Sequence, residues 1–264
     1  MKKMIDKTAI IHESAKIADN VTIGPYVIIG EDVEIDEGSN IIANCFIEHA
    51  KIGKRCTISP FSTIGSAPQD LSYSGEKTSV VVGDDTIIKE NVTIHRASSS
   101  GDFTTRIGSK CLLMVGSHVA HNCVVEDEVI MANIATIGGH VHVGFGAFLG
   151  GMTVFHQNIR IGDMVIVSGF AASRQDLLPY TKYDGRFAHP VGINVVALKR
   201  RGIEQNIRTE INSAYKLLVS DEYNTSQAIE KIKKENFYNN EYVEKMIQFI
   251  KESKRGVCLR TNRV

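Results

Sequence analysis

Residues 107–167 read IGSKCLLMVGSHVAHNCVVEDEVIMANIATIGGHVHVGFGAFLGGMTVFHQNIRIGDMVIV. In this stretch Ile107, Leu113, Val119, Val125, Met131, Ile137, Val143, Leu149, Phe155, Ile161 and Val167 stand six residues apart. A buried helix stripe repeats at about 3.6 residues and a half-buried strand at about 2. A sustained six fits neither element alone. It fits short strands joined by tight corners, wound into a left-handed parallel β-helix built of hexapeptide repeats. Upstream the same beat runs through Ile11, Ile17, Ile23, Ile29, Ile35, Ile41 and Ile47, slips by one residue, and continues at Ile52, Ile58 and Ile64. It resumes after a gap at Val82, Ile88 and Ile94.

A second row supports the coil. Four residues after the aliphatic position come small side chains, among them Val21, Val27, Val33, Cys45, Cys56, Ser62, Cys111, Cys123, Ala135, Ala147 and Val165. Each lies two residues before the next aliphatic, so the pair shares one face and fills a narrow interior. Four of the five cysteines fall in this row, where a free thiol packs as a small hydrophobe rather than acting as a nucleophile. Glycine often follows the aliphatic residue, as at Gly24, Gly30, Gly108 and Gly144. The reading is a corner with awkward backbone torsion. Three hexads close a turn of about 18 residues, with coils stacked about 4.8 Å apart, so residues 18 apart lie above one another.

The beat fails twice inside the prism. Residues 66–79 (SAPQDLSYSGEKTS) and 95–106 (HRASSSGDFTTR) are polar and out of phase, and are expected to protrude as loops. After Val167 the repeat dissolves. Pro179, Gly185, Pro190 and Gly192 mark irregular connecting chain. Helical spacing follows at Ile203, Ile207, Ile211 and Tyr215, then at Ile229 and Ile232, then at Val243, Met246, Ile247 and Ile250, with Gly256 as the stop. The chain thus divides into a β-helix over 1–190, carrying the two loops, and an α-helical domain over 191–264 that can blunt the end of the prism.

Composition narrows the function. Thirty basic residues balance 30 acidic ones in 264. That balance argues against a general nucleic-acid binder. An odd number of cysteines without paired spacing points to a reducing compartment. Asp6 and Lys7 interrupt any signal-peptide core in MKKMIDKTAI, and no apolar run is long enough to span a bilayer. The expected location is the cytoplasm, without a transmembrane segment.

Eight of nine histidines lie in the repeating region up to Val167, none at an inward phase, so they are exposed, at a corner or at an interface. His118, His121, His140, His142 and His156 fall within 39 residues, about two coils. Gly139 is 18 residues beyond His121 and should stack directly on it. Two chemistries compete for this edge. Histidines from neighbouring coils can hold zinc, as in β-helical carbonic anhydrases. Neutral imidazole can instead act as a general base. A prism with a purely structural or binding role is the non-enzymatic alternative.

Six segments carry a resemblance that covers essentially the whole chain: PQDLSYSGE at 68–76, VTIHR at 92–96, SHVAHNC at 117–123, GGHVHVG at 138–144, GGMTVFHQ at 150–157 and GINVVALKRRG at 192–202. With them the chain resembles the acyl-carrier-protein-dependent UDP-N-acetylglucosamine O-acyltransferases of lipid A biosynthesis, within the hexapeptide-repeat acyltransferases. The resemblance implies transfer of a 3-hydroxyacyl chain from acyl carrier protein to the sugar 3-hydroxyl, in a homotrimer with clefts between subunits, without cofactor or metal. It implies His121 as base and the Gly139 N–H as oxyanion donor. It implies substrate contacts at Gln69, Asp70, His95, His118, His140, His156 and Gln157, with Asn194, Arg200 and Arg201 on the nucleotide side and Gly169 setting acyl length. The chain departs from the family's pattern at Asn122, where Asp is common, and at Ser72, Ala97 and Asn158. An amide at 122 can orient His121 but cannot neutralise an imidazolium.

Overall fold

Each hexad folds into a two-residue strand ending on its aliphatic residue, such as Thr22–Ile23, Ile28–Ile29 and Glu34–Ile35, followed by a corner. After three strands the chain meets itself. Ile23 pairs with Ile41, Ile29 with Ile47 and Ile35 with Ile52, all in parallel register. The one-residue slip is thus absorbed in a shorter corner at His49 (φ 45°), without loss of register. The computed structural model describes residues 4–99, 101–235, 237 and 239–260. Among these, the strands form three sheets of 11, 9 and 8 members, the walls of a left-handed parallel β-helix. We call them the first, second and third sheets in the order the chain visits them.

The interior is what the two rows require. Ile23, Ile29, Ile41, Ile58, Ile94, Val119 and Ile137, with Val21, Val27, Ala135 and Ala147 between them, are fully buried. All five cysteines are free and buried. Cys45, Cys56, Cys111 and Cys123 direct their thiols at carbonyls of the next coil, those of Ser59, Gly83, Glu126 and Gly138, at 3.1–3.2 Å. Burial pushes the Cys123 thiol up to about 12 and the Cys111 thiol up to about 11. Cys258, which the repeat left unplaced, is buried too, and its thiol meets the Ala188 carbonyl at 3.0 Å.

Apart from Gly65, which has the expected positive φ (86°), the glycines that follow the aliphatic residue are there for a different reason. Gly24, Gly30, Gly108 and Gly144 do not have positive φ. A Cβ at Gly24 would sit 1.7 Å from the Ile42 carbonyl oxygen, and one at Gly108 2.6 Å from the Asp127 nitrogen. They permit close approach of one coil to the next. The left-handed residue lies two positions later, and it is often Asn, Asp or Gly: Asn20, Asp32, Gly38, Asn44, Asn91, Gly116, Asn122, Gly146 and Asn158 all have positive φ. Short polar side chains tolerate that conformation best after glycine.

Residues 170–193 are more ordered than their prolines and glycines predicted. Ala172–Ser173 adds a strand, and Thr181–Asp184 pairs antiparallel with His189–Ile193, covering the last strand of the first sheet. Tyr183, fully buried there, donates its hydroxyl proton to the Cys258 carbonyl at 2.9 Å and accepts from the Leu178 N–H. The expected boundary at 190 falls inside the second hairpin strand. Four helices follow, α1 (Val195–Arg200), α2 (Gln205–Val219), α3 (Thr225–Lys233) and α4 (Glu241–Lys251). Helix α4 ends at Lys251, earlier than Gly256 implied. Gly256 instead turns the chain (φ 73°) so that its carbonyl accepts from the Asp176 N–H at 2.9 Å. Asp176 is buried and ties this tail to the prism. Its carboxylate accepts from the Arg160 N–H at 2.8 Å and the Ser253 hydroxyl at 2.8 Å, and it pairs with the Arg160 guanidinium.

Two outcomes follow from this packing. Native protein at neutral pH exposed to a thiol reagent should leave all five cysteines unlabelled over the time in which denatured protein reacts fully; rapid native labelling would contradict their interior placement. Asp176→Ala, which removes the buried acceptor of the Arg160 N–H and the Ser253 hydroxyl while Arg160 keeps Glu252, should cost about 2 kcal/mol in denaturant unfolding. Unchanged stability would show that the tail is held elsewhere.

Candidate active site

The site is organised by one edge of the prism. In the second sheet the strands Thr63–Ser66, Thr93–His95, His118–Val119, Thr136–Ile137 and Val154–Phe155 are successive neighbours. The segments that follow them therefore stack. The first two are the loops, 67–78 and 96–103, and the next three are the corners bearing His121-Asn122, Gly139-His140 and His156-Gln157. Two insertions that look unrelated in sequence leave the same edge on adjacent coils.

His121 sits where the stacking argument put it. A Cβ on Gly139 would lie 2.6 Å from His121 Nε2 and 2.7 Å from its Cε1. The coils are locked here by the His140 N–H donating to the His121 carbonyl at 3.0 Å. The Gly139 N–H donates no hydrogen bond among the described residues. On the other side of the ring, Nδ1 lies 2.8 Å from Asn122 Oδ1. The Ser98 backbone N–H also points at that Asn122 atom, at 2.9 Å, which identifies it as the amide oxygen. An acceptor at that place requires Nδ1 to carry the proton, so Nε2 of the neutral ring holds the lone pair. Asn122 is itself fixed by its N–H donating to Thr105 Oγ1 at 2.9 Å and by its left-handed φ of 57°.

The loops close over this edge. Asp70 Oδ1 accepts from the Ser72 N–H at 2.9 Å and the Ser72 hydroxyl at 2.8 Å. These bonds, then a side-chain hydrogen bond with Ser98, hold the Asp70 carboxyl down at about 2, and His121 adds electrostatically. Ser72, where the family often has Lys, therefore buttresses the carboxylate. Arg96 joins the two loops to the prism. Its guanidinium donates to Glu48 at 2.8 Å, to the Gly65 carbonyl at 2.6 Å and to the Tyr73 hydroxyl at 3.1 Å. Gln69 is exposed on the first loop.

His95, His118 and His140 are largely withdrawn from solvent. His95 is buried rather than left at an open corner, and its Nδ1 has no partner among the described residues. Burial lowers its pKa, with His121 and Arg96 adding to the effect. His118 bonds Thr93 Oγ1 at 2.7 Å, and burial brings it down to about 4. His140 stands edge-on to His121 with ring centroids 5.3 Å apart, and burial lowers its pKa as well. His156 is exposed and meets Arg255 at 2.9 Å. His142 does not join the cluster: it projects from the third sheet and bonds Glu126 at 2.7 Å. Among the described residues no three His, Cys, Asp or Glu side chains converge as a metal-ligand set.

Four expected site residues lie off this edge. Asn194 is buried, where it caps α1 by accepting from the Ala197 N–H at 3.2 Å and donates to the Met164 carbonyl at 2.8 Å. Both of its amide functions are used within the chain. Arg201 pairs with Glu128 and lies 4.5 Å over the Phe145 ring, on the corner after the third sheet; Arg200 beside it is exposed. Gly169 lies on the corner after the first sheet, where an added Cβ would come 3.2 Å from the Gly151 carbonyl oxygen. One chain therefore presents these residues and His121 on three different edges. Ser98, Thr105 and Glu48 escaped the sequence reading because polar loop and outward positions carry no hexad signal.

The chain is similar to known proteins along most of its length. Residues 176–258 match the family model described as UDP N-acetylglucosamine O-acyltransferase, domain 2, and residues 4–98 match the GMPPB C-terminal domain model. An acyl-[acyl-carrier-protein]–UDP-N-acetylglucosamine O-acyltransferase of Thermodesulfovibrio yellowstonii is 45% identical over 96% of this chain and 98% of its own. The structure called LpxA from Acinetobacter baumannii superposes with a TM-score of 0.93 at 35% identity, covering 96% of this chain and 99% of that one. The Francisella novicida UDP-N-acetylglucosamine acyltransferase does so with a TM-score of 0.94 at 32% identity, covering 98% and 95%. With a relative this similar along nearly its whole length, the chain belongs to the acyl-[acyl-carrier-protein]–UDP-N-acetylglucosamine O-acyltransferase family.

Proposed function

We propose that His121 is the general base and the Gly139 N–H the oxyanion donor of an acyl transfer completed between subunits. The chain is an acyl-[acyl-carrier-protein]–UDP-N-acetylglucosamine O-acyltransferase, acting at the first step of lipid A biosynthesis. The observation that carries the assignment of roles is the juxtaposition of His121 Nε2 with Gly139, whose missing side chain is what leaves room for the ring. A sugar hydroxyl is a poor nucleophile near neutral pH and needs a base in contact. Nε2 takes the proton of the 3-hydroxyl as its oxygen attacks the thioester carbonyl of a 3-hydroxyacyl carrier protein. The tetrahedral oxyanion meets the unengaged Gly139 N–H. Collapse breaks the C–S bond, and the imidazolium returns its proton to the departing carrier thiol. The buried thiols of this chain take no part.

Gln69, Asp70, His95, His118, His140, His156 and Gln157 line the substrate cleft in this reading. The nucleotide side is completed by Asn194, Arg200 and Arg201 of another subunit, which is why a homotrimer is proposed: these residues and His121 occupy different edges of one prism. Arg200 and Arg201 suit a diphosphate because a guanidinium fork pairs phosphate oxygens. Asn194 contributes by holding the start of α1. Outward residues Ile130, Phe148 and Ile166 make an apolar stripe on the first sheet leading toward Gly151 and Gly169, and the acyl chain lies along it. The division into a prism over 1–190 and a helical domain over 191–264 gives the arginines a support separate from the base. No helix among the described residues is long and apolar enough to cross a membrane. With free thiols throughout, the proposed location is the cytoplasm.

His121→Ala should lower kcat by about 10²–10⁴-fold without loss of fold, and Gly139→Ala should do likewise by displacing the ring. Wild-type turnover of purified His121→Ala would remove the base assignment. Gly169→Met should shift a panel of acyl carrier protein thioesters toward shorter chains. A wild-type enzyme that already prefers short chains would contradict the role of Gly169.

A further inference from the structure

We propose that Ser98 is a positioning residue for the base: its backbone N–H, delivered by the second loop, decides which end of the Asn122 amide faces His121, and so which ring nitrogen can take the proton. This role rests on His121 being the base.

The need for such a residue comes from the amide itself. A carboxylate beside Nδ1 presents an oxygen whichever way its plane is turned. An amide presents oxygen in one orientation and NH2 after a half-turn, and the two shapes are nearly the same. With the oxygen inward, at 2.8 Å, Nδ1 keeps the proton, and Nε2, the atom against Gly139, holds the lone pair. With the NH2 inward, Nδ1 would have to accept, the proton would move to Nε2, and the nitrogen meant for the sugar hydroxyl could no longer receive one. Asn122 is seated by its N–H on Thr105 Oγ1 at 2.9 Å and by its left-handed φ of 57°, but neither feature distinguishes the two ends of its side chain.

Ser98 does distinguish them. Its backbone N–H donates to Asn122 Oδ1 at 2.9 Å, and its hydroxyl donates to the same atom at 3.2 Å. The hydroxyl can rotate to suit either end of an amide; the N–H cannot. A half-turn of the amide would set NH2 against that N–H, donor facing donor, beside a residue that is only 2% exposed and shielded from water. Ser98 Oγ also lies 3.4 Å from His121 Nδ1, so its lone pairs face the ring's proton while its own proton goes to Oδ1. The loop is held at this height by Arg96, whose N–H donates to the Ser66 carbonyl at 3.1 Å and whose guanidinium reaches the Gly65 carbonyl at 2.6 Å and Glu48 at 2.8 Å. The second interruption of the hexad beat thus carries the group that makes His121 competent as a base.

A double-mutant cycle with Asn122→Asp tests this, because a carboxylate at 122 needs no donor to turn it the right way. Steady-state kcat and the KM for the sugar nucleotide are measured for Ser98→Ala, which loses the hydroxyl, and for Ser98→Pro, which loses the N–H as well. Each is placed in the wild-type chain and in the Asn122→Asp chain. In the wild-type chain Ser98→Ala should lower kcat about fivefold. Ser98→Pro should lower it about 50-fold or more, as expected of a base held in the wrong tautomer. KM should change by less than about twofold in both. Measured against Asn122→Asp alone, each loss in kcat should shrink to less than about twofold. If Ser98→Pro does not fold, the Ser98→Ala arm decides alone. Losses of equal size in the two backgrounds, or a rise in KM without a fall in kcat, would make Ser98 a structural or substrate-contact residue and overturn the proposal. Failure of the base assignment would look different, as activity retained in His121→Ala.

Discussion

Everything in this protein depends on the parallel backbone ladder between coils. Each two-residue strand is too short to be stable alone and persists because the coils above and below satisfy its N–H and C=O groups. The ladder tolerates no slack. A coil must return over itself with its aliphatic residue inward, so insertions can leave only at corners. The glycines after the aliphatic residue answer the same demand, because at Gly24 or Gly108 a Cβ would strike the backbone of the neighbouring coil. The fold is thus a ruler that converts sequence separation into height along an edge.

The chemistry uses that ruler. His121 and Gly139 are adjacent because they are one coil apart on the same corner, and the loops bearing Asp70 and Ser98 arrive there because they leave that edge two coils and one coil earlier, respectively. The rigid prism sets the base and the donor, and the two loops close over them. Burial keeps His95, His118 and His140 neutral, so the pocket holds little positive charge of its own before the proton moves. An anionic sugar nucleotide would then find its cationic partners on another edge, at Arg200 and Arg201.

The prism was legible because a period of six is a property of backbone closure, not of any side chain's preference. The same beat put the four core cysteines inward and Gly139 over His121. It could not reveal the Ser98–Asn122–His121 arrangement, because loop residues have no phase. Nor could it foresee that Asn194 is spent capping α1, since a buried amide and a ligand-facing one look alike in sequence. The hairpin at Thr181–Asp184 and His189–Ile193 was concealed by Pro190 and Gly192, which read as breakers. They are tolerated there because the strand lies at the edge of its sheet, where a missing N–H leaves no neighbour unpaired.

The claim that coil register builds the site can be measured directly by inserting one extra coil. An 18-residue coil copied between Val125 and Met131 would keep every inward row intact but carry Gly139 away from His121 by about 4.8 Å. The same insert between Ile23 and Ile29 leaves the edge from the first loop onward unchanged. With both proteins folded, the first should lose turnover by about 10³-fold and the second should keep it. Equal activity in the two would contradict the idea that stacking on one edge makes this enzyme.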